Sequence, residues 1–499
     1  MLRCVVLLVL LALPVPAAAQ TPEFSYRFEL VRVPALSVRV HAEIPGAPGG
    51  ETTLEVDEQW GGVRAGGVDI SGFAAVDASG EALTVARPAP YRFVITHAPG
   101  ATLRVTYAFA ANDYQAQTDS GEYRRPIVNE HLFRAVGHLT LLVPTHINDD
   151  APCTVHLGWD GFDAAGWRVV SSWGAGTRDR TLSVSLYGLC DALYVAGDVR
   201  LITRTIHGYP VTISVAGRDW AFTPEEFADV CERIVATERG FFNDYARDFY
   251  WISLVPTGPL EQTGVSIHGT GLNNCFSLSV SPNATIALAD GSSDAMVNVL
   301  AHEMFHDWNG ILIRQGDPEE LVYWFSEGFT EFYARRLRYR GALINAEQYA
   351  ASVSETLAKY ATSPARDEPN TRVREDFWND KDVQKLPYLR GDIVAMLLDD
   401  AIRRESGGTR SLDDVMRLLA EKARARGVRF TTDDLFAHFA AFADAASLQE
   451  LRNLVDNGGM PDLTGLFAPC LVVEPAATDA AAPSYRVSVV GSDTECLSL

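Results

Sequence analysis

The sequence predicts a multidomain α+β protein, and three observations carry that prediction. From Glu23 to about Arg204, apolar residues recur at every second position in short runs broken by Gly, Pro and Asp, the signature of a β-sandwich-like domain. From about Thr223 the period lengthens, and strand-like and helix-like stretches mix as far as about residue 345. Beyond that the pattern is helical, giving an α-helical C-terminal domain. The 499 residues suit about three domains of ~150 residues each, and 47% hydrophobic against 21% charged residues is enough apolar material for a large core.

The elements follow in order. Met1-Leu2-Arg3, the apolar run Cys4–Leu13 and the small-residue stretch Ala17-Ala18-Ala19 read as a secretory signal over residues 1–19, which predicts an exported protein, periplasmic or secreted. No later stretch is apolar enough to predict a stable membrane anchor. The β domain is assigned to residues 20–205, with runs such as Leu103-Arg-Val-Thr-Tyr-Ala-Phe. The mixed domain takes residues 206–345. Thr223-Pro224-Glu225-Glu226 opens a helix to about Tyr245, because it offers a cap, a first-turn proline and early acids. Strands and glycine-rich turns then run to Pro282, and later helices are expected at Asp294–Trp308 and Val322–Tyr339. The helical domain, residues 346–457, holds Ala346–Tyr360, Leu389–Arg404, Leu412–Ala425, Thr432–Ala443 and Ser447–Asp456. Across both domains Gly310, Gly341, Gly407 and Gly427 stand at helix-ending positions. Residues 458–499 form a short tail with two strand-like runs, Cys470-Leu-Val-Val and Tyr485-Arg-Val-Ser-Val-Val.

A formal net charge of −22 repels phosphate backbones and argues against nucleic-acid partners. Apart from Cys4 in the leader, six cysteines remain: Cys153, Cys190, Cys231, Cys275, Cys470 and Cys496. Within-region disulfides are expected for Cys153 with Cys190 and for Cys470 with Cys496, while Cys231 and Cys275 either pair or stay buried thiols. No C-x-x-C pair exists, so a thiolate metal site is not expected.

The chemistry concentrates in Ala301-His302-Glu303-Met304-Phe305-His306. On a helix, positions i and i+4 share a face, so both imidazoles can point at one ion. Glu303 stands beside them, where a carboxylate can take a proton from water. This is the only i, i+4 pair among the 11 histidines. A catalytic zinc usually takes three protein ligands, and the third candidate is Glu327 in Trp324-Phe-Ser-Glu-Gly-Phe-Thr-Glu331, on the next predicted helix. Glu319 and Glu320 compete, but lie in a Gly-Asp-Pro loop with a solvated look. Glu331, one turn beyond Glu327, is placed to hold the free ring nitrogen of His302 or His306. A hydrolytic transition state also develops an oxyanion that needs a donor. Tyr388, in Pro387-Tyr388-Leu389-Arg390-Gly391, stands where a proline-ended loop is expected to meet a helix, though spacing alone gives it no role.

H-E-x-x-H, then W-x-x-E-G-F-T, then P-Y-x-x-G resembles the gluzincin metallopeptidases. The extended form, His302-Glu-x-x-His306-x-Trp308-Asn309 with Glu327-Gly-Phe-Thr, is similar to the glycyl aminopeptidase family in particular. The resemblance implies a thermolysin-like catalytic domain at residues 206–345, one Zn2+ per chain held by His302, His306 and Glu327, Glu303 as general base and Tyr388 as transition-state donor. It also implies peptide or protein substrates and a preference for small amino-terminal residues. That family commonly ends in a PDZ domain, for which residues 458–499 are too few.

Three departures shape the expectation. The family's W-N-x-K-R-x-R-P reads Trp308-Asn-Gly-Ile-Leu-Ile-Arg314-Gln here. The connection to Glu327 is short. The substrate loop, typically G-G-x-E-H, reads Thr270-Gly271-Leu272-Asn273-Asn274, so the predicted substrate-binding residues Gly271, Leu272, Asn273 and Asn274 include no carboxylate. With only an amide at Asn273, the sequence predicts a weak demand for a free amino terminus. That leaves an endo- or oligopeptidase, or a binding protein on the same scaffold, as alternatives.

Overall fold

The computed structural model describes residues 21–65, 68–113, 124–258, 264–286, 295–463, 466–467, 470–476 and 484–491. The leader at 1–19, the expected cap Asp294 and Cys496 lie outside the described residues.

Alternating burial along Glu23–Val31, Ser37–Pro45 and Thr102–Ala110 places them centrally in a six-stranded sheet. Arg180–Ser185 and Pro152–Asp160 flank them on one side and Ser71–Val76 on the other. A four-stranded sheet (Val143–Pro144, Glu51–Glu55, Arg92–Thr96, Thr84–Ala89) shares its core, where Tyr26, Phe28, Val40, Leu54, Phe93 and Tyr107 pack together. A five-stranded sheet built on Leu132–Val136 and Leu193–Gly197 joins this sheet-rich region to the central sheet, its Leu132 and Val195 sharing an apolar cluster with Trp251 and Leu272. Both Cys153 and Cys190 are buried free thiols, so the disulfide expected between them is corrected. Burial in apolar surroundings pushes both thiols up and keeps them un-ionised. Cys231 and Cys275 are likewise free, and Cys470 is disulfide-bonded.

The central sheet has the order Val199–Ile206, Tyr209–Ala216, Trp251–Pro256, Cys275–Val280, Ile267–Leu272. Its first strand starts at Val199, so the boundary expected at 205/206 falls within a hairpin. The three middle strands are parallel neighbours, and Ile267–Leu272 runs antiparallel at the edge. The helix Pro224–Phe242 covers the sheet, opened by a Thr223/Glu226 capping box and stopped at Asn243, φ 49°. Asn tolerates that left-handed conformation, which ends the helix short of the expected Tyr245.

The motif helix Ala295–Phe305 stops earlier than the expected Trp308. A wide turn at Asp307–Leu312 takes over, with Gly310 at φ 144°, which favours glycine. Glu327 sits between Tyr323–Ser326 and the helix Gly328–Arg340. The long helix Lys381–Ser406 begins eight residues before the expected Leu389 and contains Pro387. The Asp380 carboxylate accepts the amides of Asp382 and Val383, and this cap fixes the start upstream of the proline. Tyr388 is therefore inside a helix, in its second turn, and not at a loop–helix junction. The tail strands Leu471–Ala476 and Ser484–Val489 form a hairpin on the helix Ala346–Thr362, where the Val487 amide donates to Ser354 Oγ at 3.0 Å. Among the described residues no helix is long and apolar enough to cross a membrane.

The Gly328–Arg340 and Lys381–Ser406 helices cross backbone to backbone. A Cβ at Gly328 would collide with the Gly391 backbone, and one at Gly391 with the carbonyl oxygen of Trp324. Buried ion pairs clamp the crossing: Arg335 grips Asp392 through two bonds of 2.9 and 2.6 Å, and Arg336 reaches Asp399 at 2.5 Å and Asp413 at 3.3 Å. Replacing Gly391 with Ala should destabilise the protein by about 3 kcal/mol, at the upper end for overpacking. Gly407→Ala, at an open helix end with φ 60°, should cost about 1 kcal/mol. Thermal unfolding of the pair checks this, and equal melting temperatures would mean the crossing is not tight.

Candidate active site

The motif helix presents His302 and His306 on one face, with Nε2 atoms 3.0 Å apart. Glu327 Oε2 lies 3.3 Å from His302 Nε2 and 3.5 Å from His306 Nε2. Ligands at 2.0–2.1 Å from a tetrahedral zinc stand roughly 3.3–3.4 Å from one another, so the three donor atoms already outline one face of such a coordination sphere. Glu319 and Glu320, the rival acids, are not part of this group; Glu319 accepts from Tyr323 Oη at 3.1 Å.

Each remaining ring nitrogen is held. His302 Nδ1 meets Glu331 Oε1 at 3.1 Å, and His306 Nδ1 lies 2.9 Å from the Asn309 carbonyl. Such outer contacts fix ring orientation and tautomer. Asn309, fully buried, donates its amide to the carbonyls of Phe325 and Ser326 at 3.0 and 3.2 Å and to Thr330 Oγ1 at 3.1 Å. One side chain thus ties the turn after His306 to the backbone just before Glu327. The sequence signal was the Trp308-Asn309 pair, whose structural task the residue types alone did not reveal.

These residues line a cavity of about 450 Å³ together with Tyr388. The Tyr388 ring lies 5.9 Å from that of His302. Burial, and then the carboxylates of Glu327, Glu303 and Glu331, hold its hydroxyl well above the usual range, so it stays protonated. Burial likewise raises the Glu303 carboxyl, while His302 and His306 pull it back. The edge strand Ile267–Leu272 crosses directly over Glu303, and only the missing side chain of Gly269 makes room for that carboxylate.

The expected substrate loop is a strand end and a two-residue turn. Gly271 and Asn273 line the cavity, and a Cβ at Gly271 would stand 3.2 Å from His306 Cβ. Leu272 and Asn274 do not line it, which corrects their assignment. Leu272 is fully buried beside Trp251 and Cys275, because strand alternation turns it away from the cavity. Asn274 occupies the turn at φ 55° and receives the Trp251 amide on its carbonyl at 3.0 Å. The sheet-rich region contributes lining that sequence reading missed: Trp60, Arg124, Tyr187 and Asp191. These positions are distant in sequence and carry no motif, so nothing marked them.

Comparison with known proteins places this geometry. The M61 glycyl aminopeptidase family model matches residues 295–380, the segment that carries both histidines, Glu303 and Glu327. Over that segment the chain is similar to the glycyl aminopeptidase family. Glutamyl aminopeptidase of Homo sapiens is 26% identical to this chain over 173 residues, 33% of the chain and 16% of that protein. The Bos taurus enzyme is 26% identical over 167 residues, 32% of the chain and 16% of that protein. The chain therefore aligns with only a small part of these longer relatives. An aminopeptidase N family protein from Idiomarina loihiensis superimposes with a TM-score of 0.74 at 18% identity, covering 92% of this chain and 81% of that one. The M1 zinc metallopeptidase from Deinococcus radiodurans gives 0.56 at 18% identity, covering 89% and 95%.

Behind Asp191 of the cavity wall, Asp57 Oδ2 lies 2.6 Å from His138 Nδ1 and Asp191 Oδ1 lies 3.5 Å from His138 Nε2. Burial would lower the His138 pKa, but the carboxylates of Asp191 and Asp57 outweigh it and raise the imidazole to about 9. A folded-state pKa above the unfolded ~6.5 gives stability present in full below that pH and lost as pH rises through about 9. Unfolding free energy should fall by up to about 3 kcal/mol between pH 6.5 and 9.5. Urea denaturation of wild type and His138→Gln checks this. The variant should decline less, and identical slopes would refute the imidazolium.

Proposed function

We propose that this chain is an exported, zinc-dependent aminopeptidase that removes small amino-terminal residues from peptides. The observation carrying the reading is the convergence on one cavity of three zinc-type donors, a buried carboxylate and a buried tyrosine hydroxyl. Small-residue preference rests on the glycyl aminopeptidase description of the matching family, and export rests on the leader-like residues 1–19. Peptides are the partners this implies; the acidic charge disfavours nucleic acid.

Zinc bound by His302, His306 and Glu327, one per chain, supplies Lewis acidity toward a carbonyl oxygen and toward water. The chain's own residues do the rest. The edge strand offers backbone groups to which an extended peptide can add as a further strand, laying the scissile bond beside Glu303 beneath Gly269. Glu303, its pKa raised by burial, suits a base that takes a proton from attacking water and returns it to the leaving amine. Tyr388, kept protonated, donates its hydroxyl to the oxygen on which negative charge develops.

Substituting Ala for His302, His306 or Glu327 should remove zinc from the purified protein. Glu303→Gln should retain one equivalent while losing chelator-sensitive cleavage of a mixed peptide pool. Metal analysis with turnover assays checks both, and full zinc in Glu327→Ala would pass the third-ligand role to another acid. Tyr388→Phe should lower kcat by roughly 10²–10³ with KM little changed, the scale for one oxyanion donor. Steady-state kinetics on a single peptide measures this, and a near-normal kcat would place the donor elsewhere.

A further inference from the structure

We infer that Asp191 is the anchor for the α-ammonium group of the substrate, supplying from the sheet-rich region the countercharge that Asn273 lacks. The inference rests on the aminopeptidase reading. An ammonium taken out of bulk water needs an opposing charge or several strong acceptors. The acidic side chains lining the cavity, among the described residues, are Asp191, Glu303 and Glu327. Glu327 faces both imidazoles at 3.3 and 3.5 Å, and Glu303 lies beneath the edge strand in the position of the base. Asp191 is the lining acid that stands outside the group of zinc-type donors and their neighbouring base.

Its placement fits that of an anchor. Asp191 follows the short helix Leu186–Cys190, and its carbonyl accepts the Asn273 amide at 2.7 Å. That bond joins it to the end of the strand that passes over Glu303 and touches His306. Its carboxylate is 12% exposed and its nearest charged partner, His138 Nε2, is 3.5 Å away, long enough to leave acceptor capacity. His138 is shared: Asp57 takes the other ring nitrogen at 2.6 Å. Two carboxylates therefore face one imidazolium. Asp57 is 45% exposed and screened by solvent, so the surplus negative charge acts in the cavity through Asp191.

Two neighbours complete the site. Asn273 turns its amide donor toward the Gly188 carbonyl at 3.4 Å, which leaves its Oδ1 as a second acceptor. Arg314, a cation on the same wall, lies 4.4 Å over the Tyr187 ring and 3.4 Å from Asp150, and its charge helps keep the Asp191 carboxylate ionised. The weak need for a free amino terminus that Asn273 alone predicts is thereby reversed.

The test uses zinc-loaded Glu303→Gln protein, which binds without cleaving, titrated calorimetrically at neutral pH with Ala-Ala-Ala amide and its N-acetylated form. The amide cap removes any carboxylate that an arginine could hold. The free form should bind at least about tenfold tighter. Adding Asp191→Asn should shrink that ratio below about threefold, whereas adding Asp149→Asn, at an exposed acid outside the cavity, should preserve it. A tenfold preference surviving Asp191→Asn, or lost equally in Asp149→Asn, overturns the anchor. Should Asp191→Asn fail to fold, equal binding of both peptides by the protein with Asp191 intact does the same. Equal binding with zinc-dependent cleavage in wild type defeats the anchor alone. If neither peptide binds and wild type cleaves neither, the peptidase reading falls with it.

Discussion

Everything at this centre depends on two helices approaching without side chains between them. Gly328 follows the candidate ligand Glu327, and Gly391 lies one turn beyond Tyr388 on the long helix. Because neither can carry a Cβ without striking the other helix's backbone, the close crossing brings a carboxylate and a hydroxyl from separate helices to one cavity. Glycine inside a helix is intrinsically unfavourable by about 1 kcal/mol against alanine, so both positions are held by packing. The arginine–aspartate pairs beside the crossing make it rigid. Arg335 and Asp392 are 2% and 1% exposed, and a buried pair of this kind resists loss of either partner far more than it adds net stability.

The same economy explains the edge strand. Gly269 and Gly271 are the positions where Ile267–Leu272 passes over Glu303 and His306. Side chains there would push the strand off the motif helix, opening the cavity and wetting Glu303. The absent side chains keep Glu303 buried, and burial in turn raises its carboxyl. Packing of backbone on backbone thus sets the proton affinity of the residue best placed to move a proton.

Charge is distributed unevenly through the molecule. The surface is strongly acidic, yet several of the largest fully buried side chains are arginines, including Arg134, Arg239, Arg335, Arg336 and Arg390. Arg335 and Arg336 meet aspartates, while Arg390 donates to the carbonyls of Arg366, Glu368 and Val455 at 3.0, 2.6 and 3.3 Å, which ties the long helix to the C-terminal segments. Behind the cavity wall lies the opposite arrangement, His138 between Asp57 and the lining residue Asp191, where acid outnumbers base.

The sequence by itself determined the parts whose signal is periodic or local. Period-two alternation marked the sheet-rich region, and the 3.6-residue period marked the helices after Ser293. His302, Glu303 and His306 were legible because spacing on one helix fixes their common face. Glu327 and Glu331 followed because they stand four residues apart in a recognisable motif, Glu327 at the start of the helix that carries Glu331. Boundaries failed where two local signals competed: at Pro387, where the Asp380 cap prevailed, and at Asn243, where a left-handed residue ended a helix early. Only the tertiary structure decided what distant segments bring together. Asp191, Tyr187, Trp60 and Arg124 reach the cavity through strand pairing and sheet stacking, which leave no periodic trace at those residues. The apparent substrate loop proved to be a strand and a tight turn, which buried Leu272. Cys153 and Cys190 are both buried without bonding, because the sequence sets how many thiols there are and the packing alone sets which sulfurs can meet.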